Sequence, residues 1–254
     1  MYSSDTADEI SSSQPPHWGI WGTVIWGAVI GVTVVVLQVI TTLAVVVSRK
    51  GTGKLSKSEW INLFSSAGDD GYILSLATFA TTVVGCVLII GAIKLKKSSV
   101  LSAYLCIRSV AFRIVLRWIG LLAALIVLSD SITALLGRPI VPRFMSAVYA
   151  TADPLWMIWV ALIIAAPLFE EAFFRGFLFK GFESSFMGPV GAVLLTAGLW
   201  AVMHGQYDAY GVATIFCFGL VLGAARFYTR SLLVPIGLHA VASLVATIET
   251  AILG

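Results

Sequence analysis

Residues 20–47 form an apolar stretch that contains no Asp, Glu, Lys or Arg. A helix needs about 20 mostly apolar residues to cross the hydrocarbon core of a bilayer, so this stretch predicts a transmembrane helix. Six further apolar stretches predict spans at 72–93, 114–136, 155–180, 189–206, 210–228 and 231–252. The chain is 59% hydrophobic and only 11% charged, whereas a soluble domain carries about 25% charged residues. The sequence therefore predicts an all-α polytopic membrane protein, a bundle of about seven transmembrane helices.

The chain divides into four predicted regions. Residues 1–17 are polar and predict a disordered tail, and 18–93 hold the first two transmembrane helices. On a helix over 94–117, apolar residues would lie on one face and serine and arginine residues on the other. This pattern predicts a basic amphipathic helix at the membrane interface. A short soluble helix that covers the bundle is the alternative for this segment. Residues 118–254 complete the transmembrane core.

Charge and targeting signals bound the location and the partners. Lys and Arg residues are more frequent in the loops on the side of the membrane that holds 94–117 than in the loops on the other side. This bias predicts that the N-terminus lies on the inner side. We expect no cleaved signal peptide, because the first apolar stretch is far longer than a hydrophobic region of about 7–15 residues, and we expect a plasma membrane location. A formal net charge of +3 is too small to indicate nucleic acid. The expected partners are the lipid bilayer and a membrane-associated protein or peptide.

Ionisable side chains are costly inside a bilayer, so each one is a candidate functional residue. Glu171 and Arg175 are spaced i,i+4 on the predicted fourth span and share a helix face, which predicts an ion pair. Glu170 lies about 100° away around the helix. The spacing leaves it free of the arginine, as a general base requires. The alternative is a charge cluster at the aqueous end of the span that fixes its topology.

Two histidines lie on later spans. His204 follows Trp200 by four residues, and His239 precedes Ser243 by four, so each pair shares a helix face. Taken singly, either histidine is more often structural. Counted from the adjoining turns at about 1.5 Å per residue, however, Glu170, His204 and His239 all reach the middle third of a core about 30 Å thick. A carboxylate and two imidazoles at one depth favour hydrolytic chemistry.

These motifs resemble those of the CPBP family, the group of CAAX proteases and bacteriocin-processing enzymes that is also called Abi or type II CAAX prenyl endopeptidases. The family pattern is EExxxR, an aromatic residue followed by xxxH, and HxxxN. The matching residues here are Glu170-Glu171-x-x-x-Arg175, Trp200-x-x-x-His204 and His239-x-x-x-Ser243. The resemblance is clear over 155–250 and loose over 94–136. Trp200 replaces the usual Phe, and Ser243 replaces the usual Asn.

The resemblance implies a CPBP-like fold and an intramembrane endopeptidase, whose best-understood branch removes three residues from prenylated CAAX proteins. Glu170 and His204 would activate the attacking water, and His239 and Ser243 would stabilise the oxyanion. Glu171, Arg175 and Trp200 would support them. We expect no cofactor. Zn²⁺ is the alternative, and Glu170, His204 and His239 would be its ligands.

Two other classes of function compete with the protease. The first is a weakly active or inactive immunity or interaction protein of the same family, which the replacement of Asn by Ser243 favours. The second is an ion or proton transporter, because carboxylates near the bilayer midplane also serve in relays. The sequence shows neither inverted repeats nor paired broken helices, which disfavours the transporter.

Overall fold

The structure, a computed structural model, describes residues 16–50 and 56–254, and every regular element in these residues is helical. The predicted disordered tail therefore lies outside the described residues, except for its last two. The helices in chain order are α1 (Ile20–Lys50), α2 (Lys57–Ala67), α3 (Gly71–Leu95), α4 (Leu101–Tyr104), α5 (Phe112–Leu135), α6 (Arg143–Thr151), α7 (Leu155–Glu183), α8 (Gly188–Val202), α9 (Ala209–Thr229) and α10 (Leu233–Leu253).

Six described helices are long and apolar enough to cross a membrane, namely α1, α3, α5, α7, α9 and α10. A seventh apolar helix, α8, has 15 residues. At about 1.5 Å per residue it is about 22 Å long, which is shorter than a bilayer core. These helices coincide with the seven predicted spans. The all-α prediction is confirmed, and the protein is a multi-pass integral membrane protein.

Two short helices between the spans were not predicted. Helix α2 begins with a capping box, in which the Ser56 hydroxyl accepts a hydrogen bond from the Glu59 amide and the Glu59 carboxylate accepts one from the Ser56 amide. This S-x-x-E pattern is a known start signal for a helix. Helix α6 follows Pro142 and packs against α3.

The prediction of one amphipathic helix over 94–117 is wrong. Helix α3 continues through Lys94, and α4 is a single turn. Ser98 and Cys106 have φ values of 63° and 52°, a left-handed conformation that a continuous helix excludes. Tertiary contacts replace the helix: the Arg108 guanidinium donates to the Thr229 carbonyl, and the Leu232 amide donates to the Cys106 carbonyl. The segment is thereby tied to the turn between α9 and α10.

Helix α7 is the central element of the bundle. Half of its most apolar window is buried, compared with 6% in α5, and it packs against α1, α3, α8, α9 and α10. Two stretches of α7, Ala161–Ala165 and Ala172–Leu178, are π-helical. They lie on either side of the six-residue stretch that carries Pro167 and the two glutamates, and such π segments often mark functional sites. The Thr82 hydroxyl of α3 donates to the Ala165 carbonyl in the first of them.

Gly85 allows α3 to approach α7 closely. A Cβ atom added at Gly85 would lie 2.2 Å from Cε2 of Phe169. Phe169 is buried, and its ring stacks on that of Phe173 at a centroid distance of 5.8 Å. The ring therefore has little room to move, and its position fixes the start of the segment that carries the glutamates.

We expect Gly85→Ala to destabilise the protein by about 1–3 kcal/mol, the typical cost of overpacking a core. The measurement is unfolding of the purified protein in detergent micelles. Gly91→Ala on the same helix is the matched control, because a Cβ atom at Gly91 meets nothing within 4 Å. Equal unfolding midpoints for the two variants would contradict the close packing at Gly85.

Candidate active site

Glu171 is the centre of a buried charge network. Its side chain is fully buried, and its Oε1 atom accepts a hydrogen bond of 2.9 Å from Nη1 of Arg175. The predicted i,i+4 ion pair is therefore confirmed. The same Oε1 atom lies 2.9 Å from Nδ1 of His239 on α10. This second contact was not predicted, and it ties the α7 carboxylate to one of the candidate histidines.

The two arginines of the network connect three helices. Arg175 Nη2 donates to the Gly219 carbonyl of α9 at 3.1 Å. Arg226, also on α9, donates from Nε to the Arg175 carbonyl at 2.9 Å. Both arginine side chains are fully buried. Arg226 was missed as a support residue because it lies near the end of its span; its signal is a basic residue within the apolar run FGLVLGAARF.

Glu170 makes a different contact. Its Oε2 atom accepts a hydrogen bond of 2.6 Å from the indole nitrogen of Trp200 on α8. No cation pairs with the Glu170 carboxylate in the part of the chain that the structure describes. The two glutamates thus have separate partners, as the spacing predicts. A Phe at position 200 could not donate this bond, so the replacement of Phe by Trp has a direct consequence at the site.

His204 lies in the turn after α8, although the span was predicted to continue to 206. Its Nδ1 atom lies 2.8 Å from the Trp200 carbonyl. This carbonyl is one of the last of α8 and lacks a helical partner, so the imidazole caps the helix and helps to end it. A carbonyl oxygen only accepts hydrogen bonds, so His204 Nδ1 carries the hydrogen.

In the neutral form of each ring, the hydrogen bonds assign the same tautomer to both imidazoles. His239 Nδ1 faces the Glu171 carboxylate, which also only accepts, so this nitrogen carries a hydrogen as well. Each histidine therefore keeps its Nε2 atom free of these two contacts. The Trp200 ring contacts both imidazoles edge to face, at centroid distances of 5.0 Å to His204 and 5.2 Å to His239. Glu170, His204 and His239, which were expected to converge, each contact Trp200.

Two cavities meet at this cluster. The residues that line both are Phe144, Met145, Trp200, His204, Gln206, Tyr207, His239, Ser243 and Ala246. Cavity A, of about 570 Å³, extends between α5, α9 and α10 along apolar side chains such as Ile126, Ile215 and Phe218. Cavity B, of about 490 Å³, extends between α1, α3 and α7 and contains Glu170. Its polar lining includes Gln38, Thr42, Thr78, Thr81 and Thr82.

Tyr207 is a residue of the site that sequence reasoning missed. It lies three residues after His204, in a turn in which its amide donates to the His204 carbonyl at 3.0 Å. Its ring packs on Phe144 at 5.7 Å and lies 6.3 Å from the imidazole of His204. Burial raises the pKa of the Tyr207 hydroxyl to about 12, and the negative charge of Glu170 adds to this effect. The only sequence signal was its position in the tight turn HGQYDAYG.

The other polar residues near the spans have local roles. Asp208 caps α9: its carboxylate accepts a hydrogen bond of 2.9 Å from the Gly211 amide, and it also pairs with Arg138. Asp130 and Glu249 both lie at the wall of cavity A.

A metal does not fit the donor set as it stands. Within residues 16–50 and 56–254, no three His, Cys, Asp or Glu side chains are arranged to hold a metal ion. Glu170, His204 and His239, the alternative zinc ligands, do not form such a group, and Oε2 of Glu170 accepts the hydrogen bond from the Trp200 indole.

Comparison with known proteins adds to this geometry. Residues 152–245 match the sequence profile of a family described as type II CAAX prenyl endopeptidase Rce1-like. An uncharacterized 24.3 kDa protein of Escherichia coli is 34% identical over 82 residues, which are 32% of this chain and 38% of that relative. The chain thus aligns with well under half of the relative's length. No solved structure matches the chain.

Fold and site together define a multi-pass membrane protein with a carboxylate and two imidazoles around one tryptophan inside its helical bundle. Residues 152–245 contain all of these groups, and this part of the chain matches the Rce1-like type II CAAX prenyl endopeptidase family. The family prediction is confirmed. The family that matches is a family of proteases.

Proposed function

We propose that the protein is an intramembrane endopeptidase that hydrolyses a peptide bond of a membrane-associated protein or peptide. The observation that carries this proposal is the convergence of Glu170 with the free Nε2 atoms of two histidines, at cavities inside a bundle of membrane-spanning helices. A prenylated CAAX-type substrate is the one that the family description favours. We also propose a plasma membrane location with the N-terminus inside.

The proposed reaction begins with a water molecule beside Glu170. Glu170 takes one proton of the water, with Nε2 of His204 as a second acceptor for the water's hydrogens. The oxygen attacks the peptide carbonyl, and the carbonyl oxygen becomes an oxyanion. The protonated Glu170 then gives its proton to the leaving amine as the carbon–nitrogen bond breaks. The base thereby returns to its starting state, and no metal or cofactor is needed.

His239 and Ser243 are proposed to stabilise the oxyanion. The Ser243 hydroxyl donates one hydrogen bond, and His239 donates from Nε2 when its ring carries a second proton. The Glu171 carboxylate, which contacts Nδ1 of His239, would stabilise that positive ring. Arg175 and Arg226 hold Glu171 and the surrounding backbone in place. Removal of one donor from an oxyanion hole costs about 10²–10³-fold in kcat.

An inactive immunity or interaction protein remains the second candidate. Ser243 favours it, because the shorter hydroxyl reaches less far into the cavity than the family's usual Asn. Such a protein would keep the two cavities as a binding site for a peptide or a partner helix, and its cellular function would not depend on Glu170 as a base.

A comparison of membrane proteomes separates the two candidates. Membranes that contain the wild type are compared with membranes that contain Glu170→Gln, and we expect specific peptide fragments to disappear in the variant while intact precursors accumulate. Glu183→Gln is the matched control, because Glu183 lies on the same helix and pairs with Arg230 away from the cluster. Unchanged fragments together with an unchanged cellular function in Glu170→Gln would support the inactive protein.

A further inference from the structure

Of the two residues proposed above to stabilise the oxyanion, His239 and Ser243, only Ser243 is a permanent donor. Both imidazoles use their Nδ1 hydrogens on protein acceptors, His204 on the Trp200 carbonyl and His239 on Glu171. In a neutral ring the remaining Nε2 atom accepts hydrogen bonds and cannot donate them. Oxyanion stabilisation usually relies on preorganised donors aimed at the developing charge. The single short hydroxyl of Ser243 would stabilise the oxyanion only weakly.

Tyr207 is placed to supply the missing donor. It lines both cavities at the point where they meet, together with His204, His239 and Ser243. The contacts with Phe144 and His204 hold its ring. Among the described residues, no side-chain hydrogen bond engages its hydroxyl, in contrast to that of Tyr210, which bonds Thr133 at 2.7 Å. A held ring with a free hydroxyl at a cavity junction is suited to contact a ligand.

The phenol also has suitable chemistry. The raised pKa of Tyr207 keeps its hydroxyl protonated across the working range of an enzyme, so it donates without first taking up a proton. The same group is a poor general base, because its surroundings disfavour the phenolate. Its oxygen is farther from the backbone than a serine hydroxyl, which compensates for the short reach of Ser243.

We propose that Tyr207 is a further catalytic residue, which donates a hydrogen bond from its hydroxyl to the carbonyl oxygen of the scissile peptide as that oxygen acquires negative charge. This role rests on the proposed protease function. No covalent bond to Tyr207 forms or breaks, and its proton stays on the phenol oxygen through the reaction. Tyr207 and Ser243 then form the permanent part of the oxyanion site, and His239 joins them when protonated.

The test uses the purified full-length protein in lipid vesicles, with an internally quenched farnesylated CAAX-type peptide as the probe, or a substrate found in the membrane comparison. We expect Tyr207→Phe to lower kcat by about 10²-fold, as for loss of one oxyanion donor. The values of kcat and kcat/KM should fall equally, which indicates an interaction made only in the transition state. A merely structural tyrosine would instead change the unfolding midpoint or KM.

Two further variants sharpen the test. Tyr210→Phe is the matched control: it removes the bond to Thr133, and we expect a lower stability with an unchanged kcat. Ser243→Asn restores the family's longer donor, and we expect it to raise kcat in the Tyr207→Phe background. A Tyr207→Phe enzyme within about twofold of the wild-type kcat overturns the role of Tyr207 when Glu170→Gln is inactive. Turnover that survives Glu170→Gln overturns the proposed function itself.

Discussion

Glu170→Gln is expected to lower kcat/KM of the purified protein by about 10²–10⁴-fold, the usual contribution of a general base. An amide cannot take a proton from the attacking water. Its oxygen can still accept the hydrogen bond from the Trp200 indole that now measures 2.6 Å. The change therefore removes the proton acceptor and preserves the contact between α7 and α8.

The measurement is turnover of a quenched peptide in lipid vesicles, together with the unfolding midpoint of each variant. Glu183→Gln makes the same chemical change at the end of the same helix, where the carboxylate pairs with Arg230. We expect this control to retain full activity. If Glu170→Gln and Glu183→Gln are equally active, Glu170 is not the base.

Arg175→Met should cause a large loss of stability. Arg175 and Glu171 are both fully buried, and the methionine would leave the Glu171 carboxylate without its cation. Breaking a buried ion pair by removing one partner costs about 3–5 kcal/mol. The variant also loses the bond from Nη2 to the Gly219 carbonyl, which joins α7 to α9.

Unfolding by a denaturing detergent, followed by circular dichroism, measures this loss. Arg230→Met is the matched control, because Arg230 pairs with Glu183 at 3.2 Å and its side chain is 54% exposed; exposed pairs contribute about 0–1 kcal/mol. Arg175→Lys is a second variant. It keeps the charge, but a lysine cannot serve the Glu171 carboxylate and the Gly219 carbonyl in the same fork geometry, so we expect an intermediate stability. Equal losses in Arg175→Met and Arg230→Met would contradict the buried network.

The sequence predicts most of what depends on composition and helical spacing. The apolar runs identify seven helices, because bilayer thickness dictates the length of a span. The i,i+4 spacing predicts the pair of Glu171 and Arg175, since both lie on one helix and local geometry decides their contact. The cap at Asp208 is local in the same way, because its carboxylate accepts a hydrogen bond from an amide within the first turn of α9.

Contacts between helices are where prediction from the sequence ends. The bonds from Trp200 to Glu170 and from His239 to Glu171 join residues 30 and 68 positions apart, and no local pattern specifies such pairs. In segment 94–117, by contrast, the sequence predicts a helix that the protein does not form. Its amphipathic pattern is real, but bonds from Arg108 and Leu232 to distant carbonyls outweigh the helical preference. Tyr207 was missed because a turn residue has no periodicity that reveals which way its side chain points.

The proposed protease must bring two reactants to one site inside the membrane. Water favours polar surroundings, whereas a membrane-associated peptide favours apolar ones. Water favours a path lined by hydroxyl and amide groups, which cavity B provides up to Glu170. An apolar peptide segment favours the aliphatic and aromatic walls of cavity A. Because the two meet only at the histidines, Trp200 and their neighbours, each reactant would arrive by its own route.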